Sequence, residues 1–245
     1  MPRPLPDDLK HPTPDGAERS GAVLIAVAAP GEARAARRAV GLPDDGAPGP
    51  VWTPRPLAPG FDLLETGIGK SNAAGAVAAA LATGRYRGVL SAGIAGVLPG
   101  GGLEILDVVV AESSVFADEG VETPGGWLDC AAIGFPLADF PGSEVPLTRA
   151  WVEALGDLGE RGKVATVSTC SGTDALAARV AARTGARAEA MEGAAVALVA
   201  RRMGVACAEV RVISNTTGDR ERQHWDVKGA LGVLSEVLGR VLRAG

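Results

Sequence analysis

Ala22-Val-Leu-Ile-Ala-Val-Ala-Ala-Pro-Gly-Glu32 decides the fold. Its first eight residues are apolar without alternation, the pattern of a strand covered on both faces. Pro30 and Gly31 break that strand, and Glu32 opens a helical pattern that continues to about Val40. A strand buried on both sides and followed at once by a helix is the repeating unit of an α/β protein.

The same unit recurs along the chain. Residues 61–65 read as a short strand, and 67–72 turn into an Ala-rich helix that runs to about residue 82. Residues 88–91, 105–111, 164–168 and 206–214 are further apolar strands, with 92–96 read as a glycine-rich loop after one of them. Helices are expected over 146–158, 173–183 (capped by Gly172 or Thr173), 188–203 and 226–242. Residues 41–60 read as a surface excursion and 112–140 as a long, loop-rich stretch. Alternating strands and helices imply a largely parallel sheet, whose ligands sit beyond the carboxyl ends of its strands. No internal repeat is present.

Composition narrows the function. At 245 residues, with 47% hydrophobic and 22% charged, the chain is long enough for one large domain, expected over 21–245. Residues 1–20, rich in proline and charge, are expected to be a disordered tail and carry no apolar core of a signal peptide. A net charge of −5 argues against a nucleic-acid partner. No apolar run approaches the ~20 residues that span a bilayer. Cys130, Cys170 and Cys207 are odd in number and far apart, the pattern of reduced thiols in a cytoplasmic protein. With only His11 and His224 present, a histidine-rich metal centre is excluded, and no cysteine pair has zinc-ligand spacing.

Four segments carry candidate chemistry. Gly67-Ile-Gly-Lys-Ser71 ends like a phosphate-binding loop, but Leu64 stands where that motif needs glycine, so a tight strand-to-helix turn is expected. Ser91-Ala-Gly-Ile-Ala-Gly-Val97 is nearly free of side chains; it is either an ordinary turn or a place where backbone N–H groups approach a ligand. Glu192 lies among small and apolar neighbours. It is either a first-turn acid favoured by the helix dipole or a buried carboxylate accepting from adjacent sugar hydroxyls. Asn215 ends a strand, where it is either a turn residue or an amide that reads a heterocycle.

Five segments in order resemble the nucleoside phosphorylase superfamily, and within it the methylthioadenosine/S-adenosylhomocysteine nucleosidases. They are Ala29-Pro-Gly-Glu32, Thr66-Gly-Ile-Gly-Lys70, Ser91-Ala-Gly-Ile-Ala-Gly96, Met191-Glu-Gly-Ala-Ala195 and Arg211-Val-Ile-Ser-Asn215. The ending Ile213-Ser-Asn-Thr-Thr-Gly-Asp219, followed by Arg220 and His224-Trp-Asp226, looks most like the futalosine hydrolases, which release hypoxanthine from futalosine in menaquinone biosynthesis.

The resemblance implies a single-domain fold with a central mixed sheet flanked by helices. It implies that Glu32 helps activate a water and that Glu192 binds the ribose hydroxyls while Met191 packs on the sugar. Ile94, Ala95 and Gly96 would lie beneath sugar and base, and Gly172 and Thr173 would contact the base through the backbone. Asn215 stands where adenosine-type nucleosidases have an aspartate. An amide can donate to O6 of a 6-oxopurine, which an ionised carboxylate repels, so Asn215 is expected to stabilise a departing hypoxanthine. The resemblance further implies a small nucleoside substrate, no cofactor or metal, and a homodimer or larger homo-oligomer. Open alternatives are an adenine-specific nucleosidase, a phosphorolytic relative and a nucleoside-binding protein without catalysis.

Overall fold

The structure is a computed structural model that describes residues 21–43 and 49–244; the expected tail, 1–20, lies outside them. In chain order the elements are β1 (Ala22–Val27), α1 (Pro30–Ala39), β2 (Arg55–Ala58), β3 (Phe61–Glu65), α2 (Lys70–Leu81), β4 (Tyr86–Val97) and β5 (Val108–Phe116). A small hairpin follows, β6 (Gly120–Thr123) and β7 (Gly126–Asp129), then β8 (Glu144–Pro146), α3 (Arg149–Leu155), β9 (Glu160–Thr166) and α4 (Asp174–Thr184). The chain continues through β10 (Ala188–Ala190), α5 (Gly193–Arg202), β11 (Ala206–Thr216) and α6 (Val227–Ala244).

β1 behaves as its sequence requires. Side chains alternate across a strand, and Val23, Ile25 and Val27 pack on one face against Ala35 and Ala36 of α1 and Leu234 and Leu238 of α6. Leu24 and Ala26 pack on the other face with Val77 of α2 and Val196 and Ala200 of α5. Helices therefore cover both faces of the sheet, whose order is β10-β9-β5-β11-β4-β1-β3-β2, with β8 attached to β5. β10 also pairs with β4, so β10, β9, β5, β11 and β4 close into a ring.

The sheet is mixed, as the resemblance implied, and less parallel than strand–helix alternation suggested. β5 runs antiparallel to β11 and β8, β10 to β4, and β2 to β3. Several element expectations are corrected. β2 lies inside the expected surface excursion 41–60, and the β6–β7 hairpin inside the loop-rich 112–140. Residues 92–96 are strand, because β4 continues to Val97 by pairing with β11. The strand expected over 105–111 starts at Val108 and continues to Phe116, taking residues from the loop-rich stretch. The helix expected over 188–203 begins only at Gly193, because Ala188–Ala190 pairs with β9 and β4. Ala-Glu-Ala has helical propensity, and long-range pairing overrides it.

Candidate active site

Glu32 is held by the start of α1. Ala29 is the N-cap and Glu32 the N3 residue, whose carboxylate folds back so that Oε2 accepts from the N–H groups of Ala28 (2.8 Å) and Ala29 (3.0 Å). Oε1 accepts from Ile94 N–H of β4 at 2.9 Å. Burial pushes the Glu32 carboxyl above the ordinary carboxylate range; the Arg211 guanidinium and the Ile94 N–H oppose that shift, and Glu192 adds to it. Gly93 must lack a side chain, since a Cβ there would collide with the Glu32 carboxylate and the Arg211 guanidinium.

Arg211 projects from β11 into the middle of three carboxylates. Its Nε donates to Glu209 Oε1 (2.8 Å), its Nη2 to Ser91 Oγ (2.9 Å), and its Nη1 lies 3.7 Å from Glu192 Oε2. Burial alone would weaken its charge, but Glu209, Glu192 and Glu32 outweigh burial and hold its pKa above the usual arginine value. Ser114 Oγ donates to the other Glu209 oxygen. Glu192 is the N-cap residue of α5, and its carboxylate makes no cap bond. Oε1 accepts from Gly69 N–H at 2.9 Å, and Oε2 from Met191 N–H at 3.3 Å. The Gly67–Lys70 turn is thus a strand-to-helix turn, with Gly67 and Gly69 at φ 84° and 93°, and it contributes a donor to the site.

Sequence reasoning missed Arg211 and Glu209 as site residues. The available signal was their spacing: Glu209 and Arg211 are two apart on an otherwise apolar strand, hence on one face, where a lone buried charge would be untenable.

Asn215 lies on the cavity side of the same strand. Its Nδ2 donates to Thr216 O (2.9 Å), and its Oδ1 accepts from Ser214 Oγ (2.8 Å). The Thr216 carbonyl sets the orientation of the amide, since the opposite orientation would put two oxygens face to face. With Gly96, Gly172, Glu189, Arg220 and Trp225, Asn215 lines a cavity of about 290 Å³. Arg220 stacks on Trp225, 4.5 Å from guanidinium to ring centre.

The structure brings Glu32, Ile94 and Glu192 together around Arg211, and Gly96, Gly172 and Asn215 around the cavity. Ala95 is buried in the core, its carbonyl oxygen 3.2 Å from Ser214 Oγ. Met191 packs against a hydrophobic cluster. Thr173 caps α4, accepting from Leu176 N–H at 3.2 Å, and is not among the cavity-lining residues. Among the described residues no cluster of three or more His, Cys, Asp or Glu could hold a metal ion, and no helix is long and apolar enough to cross a membrane.

A profile of the Phosphorylase superfamily matches residues 63–244, and the chain belongs to that superfamily. It is 38% identical over 230 residues to the futalosine hydrolase of Streptomyces coelicolor, covering 89% of this chain and 94% of the relative. It is also 38% identical over 192 residues to the futalosine hydrolase of Thermus thermophilus, covering 75% of this chain and 81% of the relative. The fold is shared with a futalosine hydrolase mutant of Helicobacter pylori (TM-score 0.68, 20% identity, 92% of this chain and 98% of that one). The 5′-methylthioadenosine/S-adenosylhomocysteine nucleosidase of Neisseria meningitidis, solved with methylthio-immucillin-A, has it too (TM-score 0.73, 19% identity, 92% and 100%).

Proposed function

We propose that this chain hydrolyses the N-glycosidic bond of futalosine, releasing hypoxanthine. The relatives at 38% identity are futalosine hydrolases, but the observation that carries the chemistry is a single strand. On β4, Ile94 binds Glu32, and two residues later Gly96 walls the cavity that Asn215 lines. Water activation and base recognition are thus offered side by side.

In this reading the C–N bond breaks through an oxocarbenium-like transition state, by analogy with glycoside hydrolysis. The bonding electrons leave with the purine. Asn215 has one amide hydrogen beyond the one donated to Thr216, and that hydrogen stabilises the departing base at O6. Glu32 Oε1 polarises a water, whose oxygen bonds to the anomeric carbon as its proton passes to Glu32. From there the proton reaches the departed purine anion through solvent, and the base is released as neutral hypoxanthine. Glu192 receives the 2′- and 3′-hydroxyls, and its charge favours the cationic sugar.

Phosphorolysis is disfavoured by Lys70, the sole cation in the 67–72 turn. Its ammonium is already engaged by Asp118 (2.6 Å) and Glu119 (3.1 Å). Purified protein incubated with futalosine in phosphate-free buffer is expected to release hypoxanthine and the free sugar. A requirement for phosphate, with a sugar 1-phosphate as product, would overturn hydrolysis. An adenine-specific nucleosidase is the second reading, disfavoured by Asn215. Mis-pairing a buried polar edge costs factors of ~10⁴, so wild type is expected to prefer inosine-type over adenosine-type nucleosides and Asn215→Asp to narrow that preference.

The reading places the enzyme in the cytoplasm, in menaquinone biosynthesis, as a homodimer or larger. Val121 and Leu128, paired across the β6–β7 hairpin, are exposed, as is Phe135 after it, apolar side chains that contact with a second copy would cover.

A further inference from the structure

Gly96 of β4 is in register with Glu189 of β10 on one side and with Asn215 of β11 on the other. Residues paired across neighbouring strands present their side chains on one face. A carboxylate and a carboxamide therefore flank a position that has no side chain, and all three residues line the cavity. The acid and the amide stand two strand spacings apart at the backbone, about 10 Å.

Glu189 is buried, 4% exposed, and takes no part in the Arg211 cluster. Both its oxygens accept from Ser171, Oε1 from the backbone N–H at 2.7 Å and Oε2 from the hydroxyl at 2.6 Å. Among the described residues it forms no ion pair, and burial pushes its carboxyl above the usual range while the Ser171 donors oppose that. Each carboxylate oxygen can accept more than one hydrogen bond. A buried carboxylate with spare acceptor capacity and no counter-ion calls for a further donor from whatever fills the cavity.

A 6-oxopurine supplies one. Its N1–H is a donor directly beside O6, which takes the Asn215 amide. Adenine presents the reverse pattern there, a bare N1 acceptor beside an amino donor. We propose that Glu189 is a specificity-determining residue that accepts the N1–H of a 6-oxopurine, while Asn215 serves O6 from the opposite strand. This assignment deepens the proposed reaction and rests on it for the class of base.

Titration calorimetry of free bases tests the assignment without relying on turnover. Wild type is expected to bind hypoxanthine about 100-fold or more tightly than 1-methylhypoxanthine, which lacks the N1–H, and than adenine. In Glu189→Ala the gap between hypoxanthine and its methyl derivative should shrink to a few-fold. In Glu189→Gln, whose amide can donate to N1, the gap to adenine should narrow. Equal binding of hypoxanthine and 1-methylhypoxanthine by wild type would overturn the assignment with no variant needed, as would unchanged discrimination in folded Glu189→Ala. Wild type that discriminates as expected but releases no hypoxanthine from futalosine would overturn the proposed reaction alone and leave the Glu189 assignment standing. Wild type that binds no hypoxanthine would overturn both.

Discussion

Glu32 can polarise water only while ionised, and its pKa lies above the ordinary 4.5. Activity is therefore lost as pH falls through that raised value, so the acid limb of kcat/KM should sit above pH 4.5 in wild type. Arg211 lowers the Glu32 pKa. Arg211→Gln removes the positive charge and keeps a polar side chain beside Ser91. The acid limb is expected to move to higher pH in that variant, as read from a pH profile. Glu32→Gln should lower kcat by about 10²–10⁴-fold with KM within a few-fold of wild type; steady-state kinetics that show full turnover would exclude water activation by this group. Glu32, Glu192 and Asn215 were singled out as candidates by their match to the family's motifs; local pattern alone left Glu192 and Asn215 between a structural and a functional reading. The partners of Glu192 were not legible. Gly69 and Arg211 reach it across 123 and 19 positions of sequence, and only tertiary pairing joins them.

Among elements, β11 and α5 carry most of the geometry. β11 pairs Ile213 with Ala95 and Asn215 with Gly96, so Ser214 is the extra residue of a β-bulge. Two residues thereby face one position, and the Ser214 hydroxyl can steady the Asn215 amide. At the start of α5, Gly193 lies against Glu209, and any Cβ there would collide with that carboxylate. Gly193→Ala is expected to destabilise the fold by about 1–3 kcal/mol through overpacking and to raise KM by displacing the adjoining Glu192. Thermal melts and steady-state kinetics check both effects. The bulge and the short β10 were illegible in sequence for a shared reason: each is created by a neighbouring strand, and neither has a local propensity of its own. The turn at 67–72 was legible, because its glycines mark the chain direction unaided.

At the scale of the molecule, the α/β class followed from the unbroken apolar run of β1, whose two faces meet two helical layers. Strand direction did not follow. Whether β5 runs with or against β11 depends on the route of the intervening chain, which hydrophobic patterning does not encode. The core offers a test independent of the site. Trp151 of α3 is fully buried and packs over Gly88, where a Cβ would collide with its ring. Trp151→Ala should cost about 3–5 kcal/mol. For a domain of this size that lowers Tm by about 10 °C, with kcat of the folded fraction unchanged, as differential scanning calorimetry and kinetics at low temperature would show.

β4 also works as a ruler. Its backbone is the common baseline for the Ile94 mark, where Glu32 is tied, and the Gly96 mark, which walls the cavity that Asn215 lines. Two residues of strand separate the marks by about 7 Å. The graduation is the pleat itself, so it cannot be stretched by side-chain substitution. Lengthening the strand by one residue between the marks would turn one of them to the opposite side of the sheet. Substitution can retune what each mark holds, but in the proposed reaction the distance between water activation and base recognition is built into the polypeptide's own repeat.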